Sequence, residues 1–318
     1  MNYAPIVIPT LCRYEHLKVC LDSLSKCTDA DKTEVFIGVD YPSKDSHWEG
    51  YKEICSLLDN KLYPFKKITI DKRRTNCGPN KNLNLLLRDH IYNRFETFIL
   101  TEDDNEFSLN FLRFINANLE KYKDDEDVYA ICGYNYPLNF SNCSQDKIYK
   151  SFFYSPWGVG IRINKRNEVS VKEADEILHN PIKVFKIGVK IPFLLHTLIS
   201  MRYDKVFYGD AVLRARLFLN GKKCIFPILS KVRNRGFDMS GVNCKNDGGI
   251  HLNQIIDNQK EYYHNEEIDV PIFFKMINEY YKKSIFDRIK VYIKYFLYIV
   301  GLGKISSQIR SKIRFKIL

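Results

Sequence analysis

The sequence predicts an α/β protein with a mostly parallel, doubly wound sheet and a helical, basic appendage at its C-terminal end. Short apolar runs alternate with segments of helical periodicity through the first half of the chain, which is the pattern of a parallel sheet. Polar and acidic residues follow several of these runs, at the sheet edge where α/β proteins bind ligands. Lys and Arg concentrate near the end of the chain, which sets the appendage apart.

Strands and helices are predicted to alternate regularly in the first half. Strands are predicted at 4–8, 34–39, 67–70 and 97–101. The helix predicted after Arg13 has one apolar face, formed by Leu17, Cys20, Leu21 and Leu24. Further helices are predicted at 48–58 and at about 79–90, and another begins near Ser108. Parallel strands need long crossover connections, so this alternation favours a parallel sheet.

The second half alternates less cleanly. Its predicted elements are a strand at 128–133, an aromatic strand-and-loop segment at 152–161, a helical and partly basic stretch at about 172–200, a helix at 204–220, a strand at 223–227 and a loop-rich segment at 230–250. We therefore predict a large domain over residues 1–250 and a helical C-terminal region over residues 251–318.

Nine cysteines without a C-x-x-C pair indicate the compartment. An odd number of dispersed thiols is typical of a reduced, cytosolic protein and argues against a zinc site or a disulfide framework. The beginning of the chain has no charged leader followed by a long apolar run, so no signal peptide is expected. We expect a cytoplasmic protein.

Three consecutive acids, Glu102-Asp103-Asp104, close the apolar strand predicted at 97–101. Carboxylates this close repel one another, and a cation or several hydrogen-bond donors must neutralise them. The first hypothesis is therefore a divalent metal that holds a phosphorylated ligand. The alternative is an acidic turn that leads into the next helix, where acids favour the helix N-terminus.

Several motifs, taken in their order along the chain, resemble those of family 2-like glycosyltransferases with the glycosyltransferase A fold. Residues Pro5–Thr10 with Arg13 resemble the first strand and nucleotide loop of that family. Asp40 stands where the family places an acid after its second strand, and Asn76–Asn82 resembles its Asn-x-Gly segment. The triplet is similar to the Glu-Asp-Asp variant of the Asp-x-Asp motif in N-acetylglucosaminyltransferase I-type enzymes, and Pro156–Gly160 is similar to their Trp-Gly segment.

This resemblance implies that residues 1–250 form a nucleotide-sugar-binding catalytic domain with Mn²⁺ or Mg²⁺ in its donor site. Asp104 is the implied metal ligand, Asp103 would bind ribose or assist the metal, and Glu102 would face ribose or sugar hydroxyls. Asp40 would accept a hydrogen bond from the base, or else begins a Pro turn. The other donor-binding candidates are Pro9, Thr10, Arg13, Arg74 and Lys81. Each of the three cations is also compatible with a solvated surface charge.

The resemblance implies an inverting reaction, which needs a base for the acceptor hydroxyl. Asp210 is the candidate by its order along the chain, with Asp204 as the second choice, and the alternative for Asp210 is a helix N-cap. Further acceptor or donor-sugar candidates are Trp157, Arg235 and His251. Residues 233–241, which include Arg235, are predicted to form a loop that closes over the donor.

The basic charge belongs to the end of the chain. Of the net charge of +11, residues 275–318 contribute +9, since eleven Lys and Arg stand there against two acids. The apolar and aromatic run at 291–302, interrupted by Lys294, is shorter than the roughly 20 residues that span a bilayer. We predict that residues 284–318 bind an anionic membrane surface. The alternative is a helix that packs on the catalytic domain and leaves a solvated basic face.

The predicted function is a metal-dependent transfer of a hexosyl or N-acetylhexosaminyl group. The donor is a nucleotide sugar, expected to be a UDP-sugar, and the acceptor is a hydroxyl of a glycan or lipid-linked sugar. The family resemblance implies a setting in bacterial surface polysaccharide synthesis, and we expect the protein at the inner face of the membrane. One alternative is a sugar-phosphate nucleotidyltransferase, but residues 9–14 lack the glycine-rich phosphate loop that such enzymes need. The other is a non-catalytic module that binds a membrane or nucleic acid, and nucleic acid is disfavoured because the basic tail lacks base-stacking platforms.

Overall fold

A mixed α/β architecture with a large, mostly parallel sheet is observed, as the sequence predicts. The structure is a computed structural model and describes residues 3–137, 144–166, 168–204, 206–239, 249–262, 266–268 and 285–302. The strands are β1 (Ile6–Thr10), β2 (Glu34–Val39), β3 (Lys67–Lys72), β4 (Thr97–Leu100), β5 (Asn105–Phe107), β6 (Val128–Cys132), β7 (Ile148–Ser151), β8 (Val159–Arg162), β9 (Lys223–Pro227), β10 (Val232–Asn234) and β11 (Glu267–Ile268).

The helices occupy the segments where the sequence predicts them, with some divisions. They are α1 (Tyr14–Leu24), α2 (Trp48–Asn60), α3 (Pro79–Leu86), α4 (Phe111–Lys121), α5 (Val171–Leu178), α6 (Pro181–Lys190), α7 (Pro192–Asp204), α8 (Gly209–Leu219) and α9 (Ile285–Ile299). The helical stretch predicted at about 172–200 consists of three helices, because Pro181 and Pro192 each begin a new one.

The sheet places β1 beside the acidic strand. Its order is β11-β7-β9-β6-β8-β4-β1-β2-β3, and β4, β1, β2 and β3 pair in parallel, while β8 pairs antiparallel with both β4 and β6. β1 and β4 are largely apolar and buried. Because they pair in parallel, their carboxyl ends lie at the same edge of the sheet.

A second, two-stranded sheet lies outside the predicted elements. β5 and β10 pair antiparallel, with Asn234 opposite Asn105 and Arg233 opposite Glu106. The prediction of a loop over 233–241 is therefore wrong for its first residues. Strands of three residues have no detectable periodicity, and the partner is distant in sequence, so the local pattern gives no signal for this pairing.

The chain divides into two compact units. The first consists of residues 1–150, 155–166 and 224–268, and the second of residues 151–154, 167–223 and 269–318. The predicted division into a catalytic domain (1–250) and a C-terminal region (251–318) concerns function and stays a prediction. Within the described residues no helix has the length and apolar character needed to cross a membrane.

Candidate active site

The acidic triplet follows β4 and lies beside the end of β1. Ile6 and Val7 of β1 align with Ile99 and Leu100 of β4, so both strands run towards the same edge. The side chains of Asp103 and Asp104 are enclosed there, and these residues retain only 4% and 3% of their exposure. Two adjacent carboxylates at this depth need nearby positive charge or donors, because burial and mutual repulsion both disfavour their ionised forms.

Two residues supply this neutralisation: Thr10, at the end of β1, and Arg13, in the loop that follows. The Thr10 hydroxyl donates to Asp103 Oδ2 at 2.7 Å. One guanidinium nitrogen of Arg13 donates to Asp104 Oδ2 at 2.8 Å, and the other pairs with Asp103. Burial lowers the pKa of Arg13, but the two carboxylates outweigh it and raise that pKa above its ordinary value. Arg13 is thus the counter-charge of the acids, and its predicted contact with the nucleotide stays a prediction.

The pKa of Asp103 is raised above its ordinary value. The main cause is burial, to which repulsion by Asp104 adds, while the charge of Arg13 and the Thr10 hydrogen bond oppose the rise. Two carboxylates and one guanidinium leave this cluster with a formal charge of −1. The remaining negative charge would attract one further cation.

The segment after β10 encloses Asp104 from another side. Asn234 Nδ2 donates to Asp104 Oδ1 at 3.1 Å, and the backbone N–H of Arg235 donates to the Asp104 carbonyl at 2.8 Å. At Gly236 a Cβ would lie 2.2 Å from Asp104 Oδ2, so only glycine fits. The sequence alone predicts no role for Asn234 or Gly236. The one local feature that could have drawn attention to them is the sequence Asn-Arg-Gly at 234–236.

Arg235 is held by Glu106, which also binds Arg233. Glu106 Oε1 lies 2.9 Å from Arg233 NH2, and Arg235 NH1 donates to Glu106 Oε2 at 2.8 Å. Burial would raise the pKa of Glu106, but the hydrogen bonds from both arginines hold it below its ordinary value. This ion-pair cluster ties β5 to β10. The predicted contact of Arg235 with the donor stays a prediction.

Asp40 shapes the loop before α3. Its Oδ1 accepts hydrogen bonds from the N–H groups of Tyr41 at 2.9 Å and Cys77 at 2.8 Å. Its Oδ2 accepts from the N–H of Gly78 at 2.8 Å and from Asn76 Nδ2 at 3.3 Å. Gly78 has a φ of +77°, which favours glycine, and it precedes the first residue of α3. Asp40 is thus bound to the very segment that the motif analysis singled out.

The remaining acceptor capacity distinguishes the acids. Each oxygen of a carboxylate accepts about two hydrogen bonds. All four positions of Asp40 are used by the chain, whereas Asp103 and Asp104 each accept one hydrogen bond per oxygen. Within the described part of the chain, Asp103 and Asp104 therefore keep oxygen lone pairs for a ligand.

A divalent cation fits this donor set. Mg²⁺ and Mn²⁺ prefer oxygen ligands, take few protein carboxylates and complete their shell with phosphate and water. Across the parts of the chain that the structure describes, no group of three or more His, Cys, Asp or Glu is arranged to hold a metal by itself. Asp103 and Asp104 would therefore form an incomplete protein shell that depends on the ligand.

The other predicted donor residues lie at the edges of this region. Pro9 is the penultimate residue of β1 and pairs with Gly38 of β2, and Glu102 is half-buried. Arg74 and Lys81 are exposed, on either side of the loop that Asp40 binds. Their roles stay predictions.

Asn82, of the Asn-Lys-Asn segment, is fully enclosed and structural. Its Nδ2 donates to the Gly38 carbonyl at 2.7 Å, and its Oδ1 accepts from Arg73 Nε at 2.8 Å. This contact anchors α3 to the end of β2. The motif resemblance covered Asn82 without assigning it this role.

Trp157 and His251 belong to one aromatic cluster in the first unit. The His251 ring is stacked on Phe237 with centroids 4.0 Å apart, and Trp157 meets both rings edge-on at 5.7 and 5.8 Å. His251 is completely buried, while Trp157 is half-buried. The cluster anchors Phe237, which follows Gly236. The proposed ligand contacts of Trp157 and His251 remain untested.

Asp210, the predicted base, belongs to the second unit. It lies in the first turn of α8, and the N-cap residue is Tyr208, so the alternative N-cap role is wrong. Arg214 NH2 lies 3.2 Å from Asp210 Oδ2, and the Asp210 side chain is about a third exposed. The second choice, Asp204, is the last residue of α7, and its side chain lies outside the description.

Comparison with known proteins gives similarity at the level of structures only. No family model matches the chain, and no curated protein matches it. Among solved structures it is similar to the mannosyltransferase PcManGT from Pyrobaculum calidifontis in complex with GDP-Man and Mn²⁺, with 14% identity, 68% of this chain and 69% of that chain covered, and a TM-score of 0.40. It is also similar to S. aureus TarS 1–349 in complex with UDP, with 12% identity, 92% and 70% covered, and a TM-score of 0.35.

Proposed function

We propose that the protein is a metal-dependent glycosyltransferase that moves a sugar from a nucleotide-sugar donor to a hydroxyl of a glycan or lipid-linked acceptor. One observation carries this proposal. Asp103 and Asp104 are buried side by side at the carboxyl end of β4, are held by Thr10, Arg13 and Asn234, and keep oxygen lone pairs that no hydrogen bond among the described residues uses. Hard oxygen ligands at this edge of an α/β sheet suit a divalent cation and a diphosphate.

Asp104 would hold the metal, with Asp103 as the second ligand or as a ribose contact. A bound Mn²⁺ or Mg²⁺ supplies Lewis-acid stabilisation of the charge that develops on the leaving diphosphate. Arg13 keeps both carboxylates oriented and limits their repulsion. Asn234 and Gly236 fix the opposite side of Asp104, so its oxygens are presented in one geometry.

The loop that Asp40 binds would form the nucleotide side of the donor site. Asp40 sets the path of residues 76–78, and the exposed cations Arg74 and Lys81 flank that path. A nucleoside diphosphate is attracted by such cations, and Arg offers a planar pair of donors to phosphate. Glu102 and Pro9 would border the ribose. We expect UDP as the nucleotide.

Asp210 would take the proton from the attacking acceptor hydroxyl in an inverting transfer. A carboxylate in the first turn of a helix stays available as an acceptor, and Arg214 orients it. Trp157, Arg235 and His251 are proposed contacts of the donor sugar or acceptor. Residues 284–318 would bring the enzyme to an anionic membrane at the cytoplasmic face, where a lipid-linked hexosyl acceptor of bacterial surface polysaccharide synthesis is located.

A thermal-shift panel tests the proposal. The full chain is heated with UDP, GDP, CDP or UDP-sugars, each with and without Mn²⁺. The proposal predicts that one nucleotide class stabilises the protein only when Mn²⁺ is present, and that Asp104→Asn abolishes this effect. Asp45→Asn, an exposed acid near α2, serves as the matched control and should behave as the wild type. A folded protein that no nucleotide stabilises would refute the proposal.

A further inference from the structure

Helices α6 and α9 of the second unit contact each other closely. Tyr292 Oη of α9 donates to the Phe185 carbonyl of α6 at 3.3 Å. At Gly188 a Cβ would lie 2.4 Å from the same Tyr292 oxygen, so glycine permits this approach. The two helices are therefore packed side by side within one unit.

The outer side of α6 carries an apolar strip beside a row of lysines. Val184 and Ile187 are buried, whereas Ile182 and Phe185 are 67% and 64% exposed and Val189 is exposed as well. Each of these three exposed residues is followed directly by a lysine. The lysines are Lys183, Lys186 and Lys190. The helix contains no acidic residue. Large exposed apolar residues on a folded surface indicate an interaction site.

The outer side of α9 is apolar along its length. Val291 and Lys294 are buried against the unit, and Tyr295 Oη donates to the Leu178 carbonyl at 2.9 Å. The side opposite this anchored face exposes Ile285, Phe286, Ile289, Ile293 and Phe296. Arg288 and Lys290 are half-buried at its borders. Helices that are apolar on both sides are usually buried in a protein core or a membrane, so the exposed apolar side of α9 is suited to a second apolar contact.

We propose that the outer sides of α6 and α9 together form one docking surface for an anionic membrane. The apolar strips would enter the interface, and the lysines of α6 would meet the lipid headgroups. This arrangement is the one expected of helices that lie in the plane of a membrane surface. Residues 303–318 add five Lys and Arg and no acid to the sequence that follows, which makes anionic lipid the complementary partner.

Charge also argues against a second copy of the chain as the occupant. A twofold interface would bring two copies of this basic patch together, and α6 offers no acid to neutralise the lysines of the other copy. The proposal extends the membrane role beyond residues 284–318, because α6 lies about a hundred residues earlier in the sequence. It concerns a surface alone and stands whether or not the protein transfers a sugar.

Co-sedimentation of the full chain with vesicles tests the surface. Vesicles of phosphatidylglycerol and phosphatidylcholine are compared with vesicles of phosphatidylcholine alone, and the wild type should bind the anionic ones more tightly. The double variant Lys186→Glu/Lys190→Glu should lower that partition roughly tenfold or more, because each cation near an anionic surface contributes to binding. Lys26→Glu/Lys52→Glu makes the same change of net charge at exposed lysines of the first unit and serves as the control.

The apolar contribution has its own variant. Ile182→Ser/Phe185→Ser should lower vesicle partition at least several-fold while the melting temperature stays unchanged, because both side chains are exposed. Leu62→Ser, at an exposed leucine of the first unit, is the control. Equal partition of the α6 variants and their controls would overturn the proposal. So would a wild-type dimer that Ile182→Ser/Phe185→Ser dissociates, combined with no binding to anionic vesicles, since the surface would then join two copies.

Discussion

Arg13 donates to Asp104 at 2.8 Å, although 91 residues separate the two in the sequence. The same guanidinium also pairs with Asp103, so one cation binds both acids of the triplet. This arrangement makes Arg13 part of the acidic cluster itself. A ligand cation would join an existing ion-pair cluster, and the strength of that cluster can be measured without any ligand.

Replacement of Arg13 by Met should destabilise the protein by about 2–3 kcal/mol at pH 7, because it leaves two buried carboxylates without their counter-charge. Urea unfolding of Arg13→Met measures this loss. Adding Asp103→Asn should recover part of it, since the second substitution removes one of the repelling charges. Equal stability of Arg13→Met and the wild type would show that the ion pairs contribute nothing.

Replacement of Asp40 by Asn should destabilise the loop before α3. The asparagine amide keeps one acceptor oxygen, but its NH₂ group would face a backbone N–H that now donates a hydrogen bond to Asp40. The lost hydrogen bonds should cost about 2–3 kcal/mol. Denaturant unfolding gives the magnitude, with the exposed Asp45→Asn as the control. If Asp40→Asn retains full stability and only changes nucleotide preference, the carboxylate serves the base and not the loop.

Gly236→Ala should displace the segment that encloses Asp104. The added Cβ would lie 2.2 Å from Asp104 Oδ2, so the carboxylate or the backbone must move. We expect Mn²⁺-dependent nucleotide affinity to fall by roughly tenfold or more, since a misplaced ligand forfeits its geometry. Gly221→Ala is the control, because its Cβ meets no atom within 4 Å although its φ of +70° costs some stability. Unchanged affinity in Gly236→Ala would mean that Asp104 does not hold the metal.

Lys294 should make the stability of the second unit depend on alkaline pH. It donates to Ser200 Oγ at 2.6 Å and lies 3.3 Å from His196 Nδ1, and burial lowers its pKa to about 8. Between that value and its ordinary pKa of about 10.4, the unfolded chain binds more protons than the folded one, so stability rises with pH in this range.

The comparison with Lys294→Met tests this dependence. Below pH 8 the folded protein bears the cost of a buried charge, so Lys294→Met should be more stable there by about 3 kcal/mol, and its advantage should shrink as the pH rises towards 10.4. Urea unfolding at several pH values provides the measurement, and the exposed Lys186→Met should show no such trend. A constant difference between wild type and Lys294→Met would contradict the lowered pKa.

The sequence predicts the parallel part of the sheet because its signals are local. The run predicted at 34–39 has the bounds of β2, and the predicted bounds of β1, β3 and β4 differ from the observed ones by one or two residues. These strands are short runs with apolar residues at most or at alternate positions, a pattern that a local window of the sequence detects. The acids after β4 could be singled out for the same reason.

The contacts within the site could not be predicted, because they join distant parts of the chain. The pairing of β5 with β10 brings Asn234 to Asp104 from 130 residues away. Nothing in a short window distinguishes an arginine that binds phosphate from one that, like Arg13, neutralises buried acids. Likewise, the sequence of α6 predicts only a partly basic helix. Which of its apolar residues are exposed depends on the packing of the other helices, which the sequence does not reveal.

The most direct test of the central claim is isothermal titration of the wild type and Asp104→Asn with the nucleoside diphosphate that the thermal panel identifies, with and without Mn²⁺. We predict that Mn²⁺ raises the affinity of the wild type, and that Asp104→Asn loses this gain by tenfold or more while its metal-free affinity stays unchanged. Equal Mn²⁺ dependence in both proteins, with both folded, would contradict a metal site at Asp104.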